Sequence, residues 1–290
     1  MSPRTVRLVL AAFTTAAAAG CSPTKQRAEQ RVLRVCADPN NLPFSDSSGG
    51  GFENRLASIV AAEMNARVSY TWWAQRRGFV RNTLNARECD VLMGVPAQFE
   101  LTAVTHPYYR SSYAFVSRRD RALGVRSLDD SVLRHLKIGV QLVGDDYANA
   151  PPAHALAKRG IVENVRGFNV QGDYRRPSPP ARIIDAVASG EIDLAIAWGP
   201  LAGYFASREA VPIDVVPVSP QMDAPALPLA FDISMGVRRS DKALRDTLNA
   251  ILTRRRPSID SLLAVYGVPV VERDSVRRVA SARPARQVNP

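Results

Sequence analysis

The chain is poor in the residues on which most enzymes and metal sites depend, with three cysteines and three histidines among its 290 residues. It has no C-x-x-C pair, so neither a redox site nor a zinc site is indicated. It also has no G-x-S-x-G, P-loop, H-E-x-x-H or Gly-rich dinucleotide turn. The histidines, His106, His135 and His154, stand in no partner motif. These absences predict a protein that is not an enzyme and carries no cofactor.

Carboxylates that could hold a metal ion are few and widely spaced. Asp38, Asp145 and Asp146 offer oxygen ligands of the kind that a hard cation prefers. Their spacing forms neither an EF-hand nor a dense carboxylate loop. Capping of a helix by Asp145 or Asp146 is the alternative role. We therefore expect no metal site.

Beyond the N-terminus, no run of residues is apolar enough to cross a membrane. Residues 8–20 are apolar and uncharged, a length too short for a span but typical of the core of a secretory signal peptide. The run ends in Ala18-Ala19-Gly20-Cys21, and small residues directly before a cysteine resemble a bacterial lipobox. We predict a signal peptide over residues 1–21 with lipidation of Cys21, and plain export is the alternative.

Export places the protein in a compartment that permits disulfides. Ser22 resembles a signal for outer-membrane sorting, and residues 22–30 would form a polar tether. The expected location is therefore the periplasm, with a lipid anchor in the outer membrane. Cys36 and Cys89 remain as an even pair within two apolar strand patterns, and we predict a disulfide between them. Two separate buried thiols are the alternative.

Acidic residues are outnumbered, and the formal net charge is +11. Arginine pairs recur along the chain, but no aromatic residues interleave with them as they would on a nucleic-acid platform. Export argues against nucleic acid as well. An acidic protein partner or an anionic membrane surface fits this charge better, and an Arg-rich solvated surface without a partner is the alternative.

Strand and helix patterns alternate from about residue 31 to residue 270. Strands are predicted at residues 33–37, 68–73, 90–95, 111–117, 136–141, 161–169, 193–198 and 233–237. Helices are predicted at residues 53–64, 76–86, 148–159, 181–189, 241–253 and 260–266. Two similar sets of strand-helix-strand units predict two lobes, formed by residues 31–113 with 232–270 and by residues 114–231. Residues 271–290 are rich in Arg, Ser and Pro and are predicted to be a disordered basic tail.

These segments together resemble the type II periplasmic solute-binding proteins, the receptors of ABC importers. The matching pieces of the first lobe are LRVCADPNNLPF, GFENRLASIVAAEMNARVSYTWW, ECDVLMGVP and THPYYRSSYAFVSR. Those of the second lobe are LKIGVQLVG and SGEIDLAIAWGP, and the chain returns with FDISMGVRRSDKALRDTLNAIL. The resemblance covers about residues 31–270. It implies an α/β fold of two lobes, in which two doubly wound sheets are joined by a two-strand hinge.

Longer segments resemble one branch of that fold, the proteins associated with quinoprotein dehydrogenases. This branch includes the J proteins encoded beside methanol dehydrogenases that depend on pyrroloquinoline quinone (PQQ) and on calcium or a lanthanide. The segments are CADPNNLPFS, WWAQRRGFVRNTLNARECDVLMGVP, HPYYRSSYAFV and AIAWGPLAGYF. Taken together they are fairly specific, although each is weak alone.

The chain departs from the amino-acid receptors of this fold at two anchor positions. Those receptors hold the ligand carboxylate with an Arg after the third strand, a task that suits a bidentate guanidinium. Here residues 95–101 read VPAQFEL. The receptors also hold the ligand amine with an Asp after a strand of the second lobe, where this chain has Trp198-Gly199-Pro200. A free amino acid is therefore not the expected ligand.

The resemblance places a ligand or partner cleft at the strand ends, where ligands bind in open α/β sheets. The candidate residues are Asp38, Asn41, Phe44, Arg77, Gly94, Val95, Pro96, Tyr108, Tyr109, Arg110, Asp145, Trp198, Gly199 and Pro200. Arg77 and Arg110 could meet an anion, and a salt bridge is the alternative for each. Tyr108 and Trp198 could stack on a ring, and packing beneath the hinge is the alternative.

Two functions are consistent with these features. The first is a non-catalytic accessory protein that binds a PQQ-dependent alcohol dehydrogenase and assists its maturation or activation. The second is the receptor of an importer for a small solute other than an amino acid. The branch-level segments and the missing anchor residues favour the first.

Overall fold

In the computed structural model, the described residues are 31–143, 148–169, 174 and 176–273. The chain divides into the units Met1–Gln30 and Arg31–Pro290, and the fold described below is that of the second unit. The predicted signal peptide, the lipidation site Cys21 and the tether lie outside the described residues. So do Asp145, Asp146 and residues 274–290 of the predicted tail.

The first lobe is a sheet whose central strand is the first strand of the chain. Its elements are β1 (Arg31–Ala37), β2 (Asn40–Asn41), β3 (Ser45–Asp46), α1 (Phe52–Glu63), β4 (Ala66–Trp72), α2 (Phe79–Asn82), β5 (Val91–Pro96) and β6 (Ala103–Val104). Strand β1 lies between β4 and β5 and runs parallel to both. Such a strand is covered on both faces, which explains its apolar composition.

The chain then crosses to a second sheet along β7 (Tyr109–Arg118). The following elements are β8 (Ile138–Val143), β9 (Ala148–Asn149), α3 (Pro151–Lys158), β10 (Val165–Asn169), α4 (Arg182–Ala188), β11 (Leu194–Trp198), α5 (Gly199–Ala206), β12 (Ile213–Pro217), β13 (Met222–Asp223) and β14 (Leu227–Pro228). Strand β8 lies between β10 and β11, parallel to both. Both β11 and β12 run antiparallel to β7.

The chain returns along β15 (Ala230–Val237) and ends the fold with α6 (Lys242–Arg254) and α7 (Arg256–Val265). Residues 109–112 of β7 pair with residues 230–233 of β15 in an antiparallel ladder. Beyond this ladder β7 joins the second sheet, and β15 joins β5 of the first sheet. The expected α/β arrangement of two lobes with a two-strand hinge is confirmed.

The two faces of the first sheet are covered unequally. One face packs Leu33 and Val35 of β1 against α1, α6 and α7 in a large core. The other face has a small core around Cys36, Cys89 and Leu84. The predicted disulfide between Cys36 and Cys89 is present, with the two Cα atoms 5.5 Å apart. It joins β1 to the segment before β5 within this small core.

Several predicted elements differ from the structure. The helix predicted at residues 76–86 is confined to Phe79–Asn82. It cannot begin before Gly78, whose φ angle of 86° lies in the left-handed region that interrupts a helix. The helix predicted at 148–159 begins only at Pro151, since proline is tolerated in the first turn but not further inside. Helix α5 and strand β12 were not predicted.

The disulfide closes a loop with a sequence separation of 53 residues, and the chain-entropy model gives such a loop about 4 kcal/mol of stabilisation. The double variant Cys36→Ala/Cys89→Ala should therefore lose about that much free energy of unfolding, measured by urea titration. Dithiothreitol should lower the free energy of unfolding of the wild type toward that of the variant, and it should leave the value of the variant unchanged. Equal stability of the two proteins in oxidising buffer would show that the bond contributes nothing.

Candidate functional site

A cleft with a volume of about 220 Å³ lies between the two lobes. The first lobe and the hinge form most of its wall, and the second lobe contributes three residues. The lining residues are Asn41, Phe44, Glu53, Gln75, Gly94, Val95, Pro96, Tyr109, Tyr113, Gln141, Trp198, Leu201 and Ile233. Aromatic and aliphatic side chains predominate, as they do in most small-molecule sites.

Trp198, the last residue of β11, forms the wall of the cleft on the side of the second lobe. Its ring packs edge-to-face on Tyr113 and Phe231, with centroids 5.5 and 5.9 Å away. Its backbone N–H donates to Gln141 Oε1 at 2.6 Å. These contacts hold the indole in one place, so the wall is preformed.

The polar side chains of the loop after β1 form hydrogen bonds with the second lobe. The Asp38 carboxylate is buried and accepts hydrogen bonds from the Gln75 N–H at 2.7 Å and the Tyr174 hydroxyl at 2.8 Å. Asn40 Nδ2 donates to the Arg176 carbonyl at 2.8 Å, and Asn40 Oδ1 accepts from the Ser178 N–H at 3.0 Å. We call Asp38, Asn40, Tyr174, Arg176 and Ser178 the interlobe latch.

Glu53 lies in the first turn of α1 and lines the cleft. Among the described residues its side chain makes no hydrogen bond or ion pair. Its carboxyl lies against the Gly94 backbone, where a Cβ would stand 2.1 Å from Glu53 Oε1. Burial raises the pKa of Glu53 from 4.5 to about 8. At neutral pH the group is therefore mostly a neutral acid that can donate a hydrogen bond.

A larger cavity of about 500 Å³ adjoins the cleft within the first lobe. The two spaces share Glu53, Gln75, Gly94 and Val95. The remaining lining residues of this lobe-one cavity are Cys36, Ala37, Asp38, Ser45, Arg76, Arg77, Gly78, Phe79, Val80, Arg81, Leu92, Met93, Phe99 and Leu101. Its inner wall is apolar, and the exposed residues Arg76, Arg77 and Arg81 line it on the solvent side.

Charged residues brace the hinge behind the cleft. Asp232 on β15 is buried and pairs with Arg110 of β7 at 3.2 Å and with Arg273 at 2.6 Å. The Arg110 guanidinium also donates to Gln221 Oε1 at 2.8 Å. Residues 271–273, placed by the sequence at the start of the tail, thus contact the hinge, and the Val271 N–H donates to the Arg110 carbonyl.

The structure brings together some of the predicted residues and separates others. Those that line the cleft are Asn41, Phe44, Gly94, Val95, Pro96, Tyr109 and Trp198. Asp38 and Arg77 line the adjoining cavity. Arg110 lines neither space and takes the alternative role of a salt bridge. Tyr108 also lies outside them, buried with its hydroxyl donating to the Met93 carbonyl at 2.9 Å.

Gly199 and Pro200 are buried in the first turn of α5 and line neither space. A Cβ on Gly199 would stand 2.6 Å from the Ser112 carbonyl oxygen, so this glycine permits close packing of α5 on the hinge. Asp145 lies outside the described residues.

Sequence reasoning missed Glu53, Gln75, Tyr113, Gln141, Leu201 and Ile233 in the cleft. Gln141 could have been identified from the sequence, because it lies in a predicted strand of the second lobe where a polar side chain is unusual. Glu53 had none, because an acidic residue in the first turn of a helix is ordinary.

The part of the chain that the structure describes contains no cluster of three or more His, Cys, Asp or Glu side chains able to hold a metal ion. Within the same residues, no helix is both long enough and apolar enough to cross a membrane.

Two lobes, a two-strand hinge and a cleft between them define a periplasmic binding protein of type II. No protein-family model matches the chain. The chain is similar to Protein MoxJ of Methylorubrum extorquens, with 30% identity over 284 residues that cover 91% of this chain and 94% of that protein. It is 31% identical over 259 residues to Protein MoxJ of Paracoccus denitrificans, covering 84% and 91% of the two chains. The chain therefore belongs to the MoxJ family.

Solved structures agree with this assignment. The periplasmic binding protein XoxJ from Methylobacterium extorquens AM1 has a TM-score of 0.68 and 36% identity, covering 83% of this chain and 99% of that one. MxaJ from Methlophaga aminisulfidivorans MPT has a TM-score of 0.72 and 27% identity, covering 82% of this chain and 100% of that one. The resemblance inferred from the sequence is thereby confirmed at the level of fold and family.

The raised pKa of Glu53 has a defined effect on stability. The folded protein binds this proton more tightly than the unfolded chain, so stability falls as pH rises from about 4.5 to about 8 and is constant above that. Glu53→Gln removes the titration. The free energy of unfolding of the variant minus that of the wild type should therefore increase with pH over this range, by at most about 1.4 kcal/mol per pH unit. Urea titrations at pH 5, 6, 7 and 8 measure it.

Glu88→Gln removes a carboxylate from an exposed position of the same lobe and serves as the control for the loss of one charge. A Glu53→Gln curve that ran parallel to wild type would mean that the Glu53 carboxyl is as well solvated in the folded protein as in the unfolded chain.

The interlobe latch should favour the closed arrangement. The double variant Asn40→Ala/Tyr174→Phe removes its side-chain hydrogen bonds, and a hydrogen bond to a charged group contributes about 1.5–3 kcal/mol. The variant should open, with a larger radius of gyration in small-angle X-ray scattering. Tyr70→Phe loses a hydroxyl contact within the first lobe only and should leave the radius unchanged. Identical scattering of wild type and double variant would exclude a role in closure.

Proposed function

We propose that this chain is a non-catalytic periplasmic accessory protein that binds a PQQ-dependent alcohol dehydrogenase of the methanol dehydrogenase type and assists its maturation or activation. A lipid on Cys21 would hold it at the outer membrane. Membership of the MoxJ family, combined with an interlobe cleft that lacks the charged anchors of amino-acid receptors, is the observation that carries this proposal.

The composition of the cleft supports a protein element as its occupant. Val95 and Pro96 stand where the receptors of amino acids continue toward their carboxylate-binding Arg, and Trp198 stands where their Asp follows. Among the polar groups nearby, Asp38 and Asn40 already bond to the second lobe and Gln141 Oε1 accepts from the Trp198 N–H. The Glu53 carboxyl is the exception, since it has no partner among the described residues. What remains open to a partner is a mainly apolar surface with aromatic groups, the composition that dominates the centres of protein interfaces.

The charge of the chain supports an acidic partner. The net charge is +11, and Arg76, Arg77 and Arg81 are exposed beside the cleft. A field of one sign attracts a partner of the opposite sign and raises the rate of association, an effect that salt screens. Binding to the dehydrogenase should therefore weaken at high ionic strength.

The proposal is tested by immobilising the full chain and titrating purified apo and holo forms of a PQQ-dependent alcohol dehydrogenase by biolayer interferometry. We expect micromolar or tighter binding at about 50 mM salt, with weaker binding at about 300 mM. Phe44→Ala, on the cleft, should weaken binding about tenfold or more. Trp73→Ala removes an aromatic group that is 42% exposed and lines neither cavity, and it should have no effect.

Failure of both dehydrogenase forms to bind at about 50 μM would refute the accessory role. The preformed cleft of about 220 Å³ supports a second candidate, the receptor of an importer for a small solute other than an amino acid. Under that function a solute should raise the melting temperature in a manner that Phe44→Ala abolishes.

A further inference from the structure

The arginines of the lobe-one cavity differ from most other arginines that the structure describes, and they differ from the unpaired Arg55 and Arg67 in that they share one cavity. Elsewhere the guanidinium groups are mostly engaged by carboxylates, as in Arg34 with Asp90 and Arg159 with Asp223. Within the described part of the chain, the side chains of Arg76, Arg77 and Arg81 make no hydrogen bond or ion pair. All three line one cavity. The guanidinium groups of these three residues therefore form no ion pairs within the described part of the fold, and they lie at one opening.

Local backbone geometry places these cations together. Gly78 adopts a φ angle of 86° between Arg77 and helix α2, a conformation that a side chain would disfavour. The Arg81 guanidinium lies back over Gly78, with Nη2 3.5 Å from the position that a Cβ would take. The turn thus brings a residue before Gly78 and a residue after it to the same opening. Their like charges repel, which an anion between them would relieve.

The interior of the same cavity is suited to an apolar body. Phe79, Val80 and Phe99 are partly buried and pack with the disulfide of Cys36 and with Leu92. The cavity volume of about 500 Å³ lies in the range typical of small-molecule sites. Where the cavity adjoins the interlobe cleft, the unpaired Glu53 carboxyl lies against the Gly94 backbone. A bound molecule would therefore meet apolar walls along its length and a hydrogen-bonding group at its end.

We infer that the lobe-one cavity binds an aromatic carboxylate, with its carboxylate held by Arg77 and Arg81, its ring between Phe79 and Phe99, and an oxygen at its far end against Glu53. Guanidinium groups recognise carboxylates by paired, charge-assisted hydrogen bonds. Arg77, Arg81 and both phenylalanines of this site line only the lobe-one cavity, and Glu53 lies where that cavity adjoins the interlobe cleft proposed for the protein partner. The site does not depend on the dehydrogenase role.

Isothermal titration calorimetry with naphthalene-2,6-dicarboxylate tests the inference on the full chain. We expect a dissociation constant below about 1 mM, the level usual for a ligand of this size. Naphthalene-2,6-dicarboxamide has the same shape without charge, and its affinity should be lower by about tenfold or more. Arg77→Gln/Arg81→Gln should weaken binding of the dicarboxylate by about 10- to 100-fold.

Two matched variants separate this site from its surroundings. Arg55→Gln/Arg67→Gln removes two exposed positive charges from the same lobe, outside both cavities, and should bind the dicarboxylate as wild type does. Phe44→Ala lies on the interlobe cleft alone and should also leave binding unchanged. No measurable binding at about 5 mM, equal binding of the diamide, or equal losses in the two arginine double variants would overturn the inference.

Discussion

The four-residue ladder between Tyr109–Ser112 of β7 and Ala230–Ile233 of β15 is the constraint on which the rest of the structure depends. Both strands begin in the ladder, from which β7 continues into the second sheet and β15 into the first. Because every backbone bond of the ladder must be kept, the two lobes cannot be arranged independently. The cleft follows from this, since Tyr109, Tyr113 and Ile233 lie on the crossing strands and form its inner wall.

A buried charge sits on that ladder and is neutralised from two directions. Asp232 pairs with Arg110, directly opposite it, and with Arg273 from the end of the described chain. Arg110 is the mostly buried partner, and removing one partner of a buried pair typically costs about 3–5 kcal/mol, because the remaining charge is left in a medium of low polarity. The Arg273 side chain is exposed, and its ion pair and the bond from the Val271 N–H to the Arg110 carbonyl together hold the segment up to Arg273 on the hinge. The folded unit therefore extends to Arg273, past residue 271, where the sequence predicts the start of the disordered tail.

The sequence predicts the elements whose burial is local and misses those whose burial depends on the rest of the fold. Strands β1, β5, β8 and β11 lie within two residues of their predicted bounds, because continuous apolar runs identify a sheet covered on both faces. Helix α5 follows β11 without a break and is buried almost all round, so it lacks the amphipathic period that marks a surface helix.

The candidate site shows the same division. The strand ends place Asn41, Gly94 and Trp198 in the cleft, as open α/β sheets require. The roles of Arg110 and Tyr108 depend on Asp232 and on the Met93 carbonyl. Those partners are distant in sequence, so charge and aromatic character alone could not separate ligand contact from internal support.

The interlobe latch bears on how the cleft can be used. A receptor that closes only around its ligand keeps polar groups available on both lobes, and the ligand supplies the free energy of closure. Here Asp38 and Asn40 join the lobes directly through Tyr174, Arg176 and Ser178. A solute that bound through these groups would first have to replace bonds already made, and its net gain would shrink accordingly. An occupant that uses the apolar wall around Phe44 and Trp198 meets no such competition. This physical difference favours a partner held by shape and apolar contact over a polar solute in the cleft, and it leaves recognition of anions to the arginines of the lobe-one cavity.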